Sequence, residues 1–197
     1  MRRAAATAAL ALAAGALLIG CGGSSNAAGD YRGTSLGPAA KPAPEIALRN
    51  SLGQPVKLSQ YRGKAVLLTF LYANCPDVCP LIAGQLHAAL KRLGPERSKV
   101  QLVAVSVDPK GDTPAKVNAF LAAHGLTGKM QYLVGSTHDL VRTWRAYGVG
   151  VRGAAAGTVN HSGAVYGITA KGTQAVVYMS GFAVADLVHD VPLLAAR

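Results

Sequence analysis

The chain has 197 residues, of which 50% are hydrophobic, and its 20 Lys and Arg against 9 Asp and Glu give a formal charge of +11. The charges are dispersed and aromatics make up only 6%, so a nucleic-acid platform is not indicated; no nucleic-acid partner is expected. The length suffices for one well-cored domain and is too short for two ordinary ones once an N-terminal leader is set aside.

The leader is the first feature in chain order. Met1, Arg2 and Arg3 precede an apolar run over residues 4 to 20, "AAATAALALAAGALLIG", which ends at Cys21. Residues 1–20 read as a signal peptide. The tetrapeptide Leu18 to Cys21, "LIGC", resembles the lipobox of bacterial lipoproteins, which implies that Cys21 is acylated. An uncleaved anchor helix is the alternative. Without Arg2 and Arg3, 18 basic residues face 9 acidic ones, a charge of +9, which suits a surface near anionic lipid. Residues 21–44 are rich in Gly, Ser, Ala and Pro and read as a flexible tether, leaving 45–197 as the folded domain.

Within that domain, residues 45–64 predict two short strands turning at Gly53. "AVLLTFLY" (65–72) is a continuous apolar run, as a fully buried strand requires. Leu81, Ile82, Leu86, Leu90 and Leu93 follow helical spacing, and Gly94-Pro95 ends the helix. "VQLVAVSV" (100–107) is a second buried strand, after which Thr113 and Pro114 open a helix as N-cap and first helical residue. A strand over 130–134 and a helix over 137–148 follow, then a Gly-rich segment, 149–160, expected to be mobile. Residues 163–170 and 173–180 predict a hairpin turning at Lys171-Gly172, and a last helix starts near Ala183 with a break at Pro192. Alternating strands and helices closed by a hairpin predict an α/β protein. Its plan is thioredoxin-like: a central mixed sheet flanked by helices, with an N-terminal β-hairpin.

The chemistry concentrates in "CPDVCP", residues 75–80. If Cys21 carries lipid, Cys75 and Cys79 are the remaining thiols. They fall where a central strand ends and a helix begins, the usual place for a site in an open α/β sheet. There the helix N-terminus is expected to favour thiolate at either sulfur. A purely stabilising disulfide is the plain alternative, but so small a loop removes little unfolded-state entropy. Thiol-disulfide exchange and metal binding are the functional ones. Thioredoxin-like oxidoreductases usually place a cis-proline opposite the cysteines. No proline lies between Pro114 and Pro192 here, and "VNHSG" (159–163) stands in that place. Two thiolates with the His161 imidazole make a soft three-donor set that suits copper better than structural zinc, which needs a fourth ligand.

"CPDVCP", "SVDPKGDTP" and "VNHSGAVY" together resemble the three signature blocks of the Sco/SenC family, in matching order and over about residues 45 to 190. That resemblance implies a thioredoxin-like copper chaperone held outside the bacterial cytoplasmic membrane. It would assist assembly of the binuclear copper centre of cytochrome c oxidase, with Cys75, Cys79 and His161 as metal ligands. One copper per chain, Cu(I) or Cu(II), is expected, with Cys75 and Cys79 forming a disulfide when oxidised. The partner would be the copper-receiving oxidase subunit or another copper chaperone, and the protein a monomer on the membrane's outer face. The family also accommodates a thiol-disulfide reductase that keeps a partner's copper-binding cysteines reduced, with Cys75 and Cys79 as its catalytic pair. Asp77, Asp108 and Asp112 read as turn or helix-start residues; His87, His124, His138 and His189 as surface or capping histidines; Met179 and Trp144 as core.

Overall fold

The computed structural model describes Met1 and residues 31–37, 40–152, 160, 161 and 163–197, with backbone only at 152, 160 and 161. Residues 2–30, including Cys21, lie outside the described residues, as do 153–159 of the Gly-rich segment. Among the described residues no helix is long and apolar enough to cross a membrane.

The fold grows from three central strands. β5 (Ala65–Leu71) is buried at every position, and its one polar side chain, Thr69, donates its hydroxyl to the Ala164 carbonyl at 2.8 Å. β6 (Val100–Ser106) runs parallel to β5, and β7 (Met130–Val134) parallel to β6. Continuous apolar runs form such strands because both faces are covered. α1 (Val78–Leu93) links β5 to β6, and α2 (Pro114–Ala123) links β6 to β7. α2 opens as its sequence predicts, with the Thr113 hydroxyl accepting from the Lys116 amide at 3.4 Å.

The sheet extends on both sides. β3 (Ala47–Asn50) and β4 (Pro55–Lys57) form the expected N-terminal hairpin, with β3 antiparallel to β7. On the other side β10 (Ala164–Ile168) lies antiparallel to β5, and β11 (Thr173–Met179) pairs with β10. α3 (Thr137–Ala146) leads from β7 into a two-stranded ribbon, β8 (Val151–Arg152) and β9 (Asn160–His161). α4 (Val184–Ala195) packs beside α1. It continues through Pro192 rather than breaking there. A proline costs the helix the hydrogen bond to the carbonyl four residues back, that of Val188, and burial of Leu187, Val191 and Leu194 offsets the loss.

The tether expectation needs correction where the structure describes it. β1 (Thr34–Ser35) pairs with Val176 and Val177 of β11, and β2 (Lys41–Pro42) with Thr173 and Gln174. The Arg32 and Gly33 amides donate to the carboxylate of Asp190, a fully buried residue, at 2.9 to 3.0 Å. Residues 31–37 and 40–44 therefore strap onto the domain. Tertiary hydrogen bonds order a stretch whose composition alone reads as linker.

Candidate metal centre

β5 delivers the chain to Tyr72, and a tight turn follows in which the Cys75 amide donates to the Tyr72 carbonyl at 3.2 Å. α1 then starts at Val78 with Asp77 in the N-cap position, but Asp77 makes no side-chain capping bond and faces solvent. The first turn of a helix has amides without intrahelical partners. One of them, that of Cys79, donates to the Cys75 sulfur at 3.3 Å. Cys75 thus takes the acceptor role that its neighbour Asp77 leaves open, and the bond fixes its sulfur over the helix start.

Neither Cys75 nor Cys79 is in a disulfide and both are buried, Cys75 at 8% exposure and Cys79 at 0%. Burial pushes the Cys79 thiol well above its ordinary pKa; the adjoining Cys75 sulfur adds to the rise, and the Tyr72 backbone opposes it. The expectation that the helix N-terminus favours thiolate at either sulfur therefore fails at Cys79. Desolvation of a fully enclosed sulfur outweighs a helix dipole of about half a charge.

A buried polar network holds this loop from below. Asp112 accepts from the Ala73 amide at 2.7 Å, the Ser106 hydroxyl at 2.6 Å and the Tyr132 hydroxyl at 2.9 Å. Ala73 stands two residues before Cys75, so Asp112 is a positioning residue for the cysteine loop. Its role goes beyond the helix start that its sequence context suggests. Its own carboxyl is raised from the usual range, chiefly by burial. Asp108 does make the turn, accepting from the Gly111 amide at 2.8 Å.

His161 reaches this neighbourhood through its chain. Val165 lies opposite Thr69 in the antiparallel β10–β5 ladder. Two residues earlier, Gly163 is pressed so closely on the cysteine loop that a Cβ there would sit 2.9 Å from a methyl of Val78 and 3.2 Å from Ser180. Val78 lies between the cysteines, so only glycine permits this approach. His161 is two residues further back, its backbone paired with Val151 in the ribbon. Its side chain falls outside the described ones, so the structure brings Cys75 and Cys79 together and leaves His161 two residues from the glycine that abuts Val78.

The other histidines are occupied elsewhere: His87 with the Gly125 carbonyl, His124 with that of Phe120, His189 with Asp190, and His138 beside Asp139 on the surface. Among the described residues, no group of three or more His, Cys, Asp or Glu is placed to hold a metal. Trp144 is core, its indole donating to the Ser106 carbonyl, whereas Met179, expected in the core, is 58% exposed at the end of β11.

Comparison with known proteins agrees with this geometry. A protein of Stutzerimonas stutzeri described as copper-binding is 31% identical over 114 residues, 55% of this chain and 56% of that protein, so the match spans about half of the relative's length. The crystal structure of a SCO1/SenC family lipoprotein from Bacillus anthracis superposes with a TM-score of 0.70 at 26% identity, covering 78% of this chain and 95% of the other. Arabidopsis thaliana ScoI with copper bound gives a TM-score of 0.67 at 25% identity, over 77% and 96%. The SCO1/SenC family model matches residues 37–194, and the chain belongs to that family, with its thioredoxin-like fold.

Proposed function

We propose that this chain is a membrane-tethered, extracytoplasmic copper metallochaperone serving assembly of the binuclear copper centre of cytochrome c oxidase. One observation carries the reading: two buried cysteines outside any disulfide, four residues apart at the start of α1, with the glycine that follows "VNHS" pressed against Val78 between them. Cys75 and Cys79 supply two soft sulfur donors, and His161 supplies an imidazole suited to either copper oxidation state. Family membership and the copper-bound Arabidopsis relative support the cargo; the Bacillus anthracis lipoprotein and the "LIGC" motif support acylation at Cys21.

Cys79 is held as a neutral thiol by burial, so binding copper there must expel its proton. Uptake therefore falls as pH falls. Release follows by ligand exchange: sulfur donors of the partner replace those of Cys75 and Cys79 in turn, and protons return to the vacated sulfurs. The reduced protein should bind about one copper per chain and show thiolate-to-metal absorption with Cu(II), while the disulfide form binds poorly. Equally tight binding by the fully oxidised form would contradict the proposal.

The second reading is a thiol-disulfide reductase, favoured by the 3.3 Å contact between the Cys79 amide and the Cys75 sulfur, which keeps the pair within reach of one bond. In that reaction Cys75 and Cys79 form a disulfide as a partner's disulfide opens to two thiols, two electrons and two protons passing to the partner.

A further inference from the structure

We propose that the end of the domain remote from the cysteines is a membrane-facing surface that binds anionic phospholipid headgroups. The inference rests on the proposed N-terminal membrane attachment and adds to it an orientation. Its first support is how charge divides between the two ends of the sheet. The loops that precede β5 and β6, and the hairpin joining β10 to β11, lie together at the end opposite Cys75, because β10 runs antiparallel to β5 and Ile168 faces Val66. There Arg62, Lys64, Arg92, Arg97 and Lys171 are all exposed. The single acid of these loops, Glu96, is already paired with Lys99 at 3.0 Å. At the cysteine end acids and bases are mixed: Asp77, Asp139 and Asp186 stand with Lys110, Lys116 and Arg142, and Arg142 pairs with Asp139 at 3.3 Å. A protein with one strongly basic end and one of mixed charge turns its basic end toward a negative surface.

The second support comes from where the chain enters. Tyr31, the first residue of the strap, lies with its ring 5.3 Å from the guanidinium carbon of Arg197, just past the end of α4. That end of α4 packs at the hairpin base, where the Ala170 amide donates to the Leu194 carbonyl. Tyr31, Lys171 and Arg197 line one groove of about 290 Å³. The strap therefore begins, at Tyr31, beside the basic end. At the same end of the sheet, by the starts of β6 and β7, a recess of about 400 Å³ is lined by Lys91, Arg97, Lys129 and His87, and no acidic side chain lines it. A recess of that size and sign accepts a phosphate-bearing headgroup. Anchor and basic pole on one end would hold the cysteine end outward, toward a partner.

The test uses the full chain reconstituted with vesicles of phosphatidylcholine alone or of phosphatidylcholine with phosphatidylglycerol. Flotation with phosphatidylcholine reports the anchor. Amide exchange read by mass spectrometry reports the pole. With phosphatidylglycerol, the loops at 62–64, 94–99 and 170–172 should exchange several-fold more slowly, while the cysteine loop at 73–77 is unchanged. High salt should abolish the protection, and the triple variant Lys91→Gln, Arg97→Gln, Lys171→Gln should weaken it by about fivefold per charge removed. A chain that floats in both vesicle types with identical exchange overturns the inference and leaves the anchor standing. Protection by phosphatidylglycerol without flotation on phosphatidylcholine upholds the basic face and sinks the anchor. If glycerol phosphate with phosphatidylcholine vesicles gives the same protection, the recess is a soluble phosphate site and the inference is overturned.

Discussion

Two buried aspartates do the same mechanical work in two places, and they differ in what their donors can do once released. Asp112 holds the cysteine loop through the Ala73 amide and the Ser106 and Tyr132 hydroxyls; Ser106 and Tyr132 are at 0% and 1% exposure. Asp190 holds the N-terminal strap through the Arg32 and Gly33 amides, the Tyr178 hydroxyl at 2.7 Å and the His189 ring at 2.7 Å. Two donors of Asp112, the Ser106 and Tyr132 hydroxyls, are fixed in the sheet with no route to water, and the third, the Ala73 amide, sits in the half-buried turn after β5. Those of Asp190 belong partly to an edge strap that can peel away and become hydrated. A buried carboxylate is thus a rigid support where its donors are core, and a releasable latch where they are surface.

The largest separation between the two should come from alanine. Asp112→Ala strands two buried donors and a half-buried one and should cost about 3 to 5 kcal/mol in denaturant unfolding, with a loss of copper uptake as the loop loosens. Asp190→Ala should cost about 2 kcal/mol, because the strap amides find water, and should leave copper uptake unchanged. Limited proteolysis should then cut that variant within residues 31–44 while the rest of the domain survives. Equal stability losses in the two variants would break the comparison.

A smaller effect is expected from Asp112→Asn. The amide oxygen still accepts from Ala73, and the two hydroxyls can turn to accept from its nitrogen, so the cost should be about 1 kcal/mol. The variant also tests charge. Because burial raises the pKa of Asp112 in the folded state, its contribution to stability is fully present below the ordinary value of 3.8 and is lost as pH rises through the raised one. The stability difference between wild type and Asp112→Asn should therefore shift in favour of the variant as pH climbs from 3.8 toward neutrality. A difference independent of pH would show that the carboxyl is not raised. Of similar size, Tyr178→Phe removes one of the bonds to Asp190 and should cost about 1 kcal/mol in the same unfolding measurement.

Much of the frame was legible in the sequence. The apolar runs give β7 its observed bounds, and β5 and β6 theirs to within a residue, because a strand covered on both faces leaves an unbroken apolar run that turns interrupt sharply. The cysteine pair was legible for the same reason: it stands at the edge of such a run. The strap was not, since Gly, Ser and Pro carry no periodicity and its order comes from Asp190, more than 150 positions away. A signal did exist. Leu187, Val191 and Leu194 form the buried stripe of α4, and Asp190 falls on it, which a charged residue does only with partners. Asp112 concealed its role because a turn aspartate and a loop anchor look alike in one dimension. Met179 was misplaced because it sits at the last position of β11, where the covering layer ends.

The central claim is that Cys75, Cys79 and His161 act together on copper, whereas a reductase needs the two sulfurs alone. The measurement is cytochrome c oxidase activity in a strain lacking the native gene and kept at low copper, complemented with wild type, Cys75→Ser or His161→Ala at matched protein levels. The account predicts that His161→Ala fails almost as completely as Cys75→Ser, because losing the imidazole leaves a site that binds Cu(II) far more weakly. Near-normal oxidase with His161→Ala, together with none in Cys75→Ser, would contradict the chaperone reading and leave the reductase in its place.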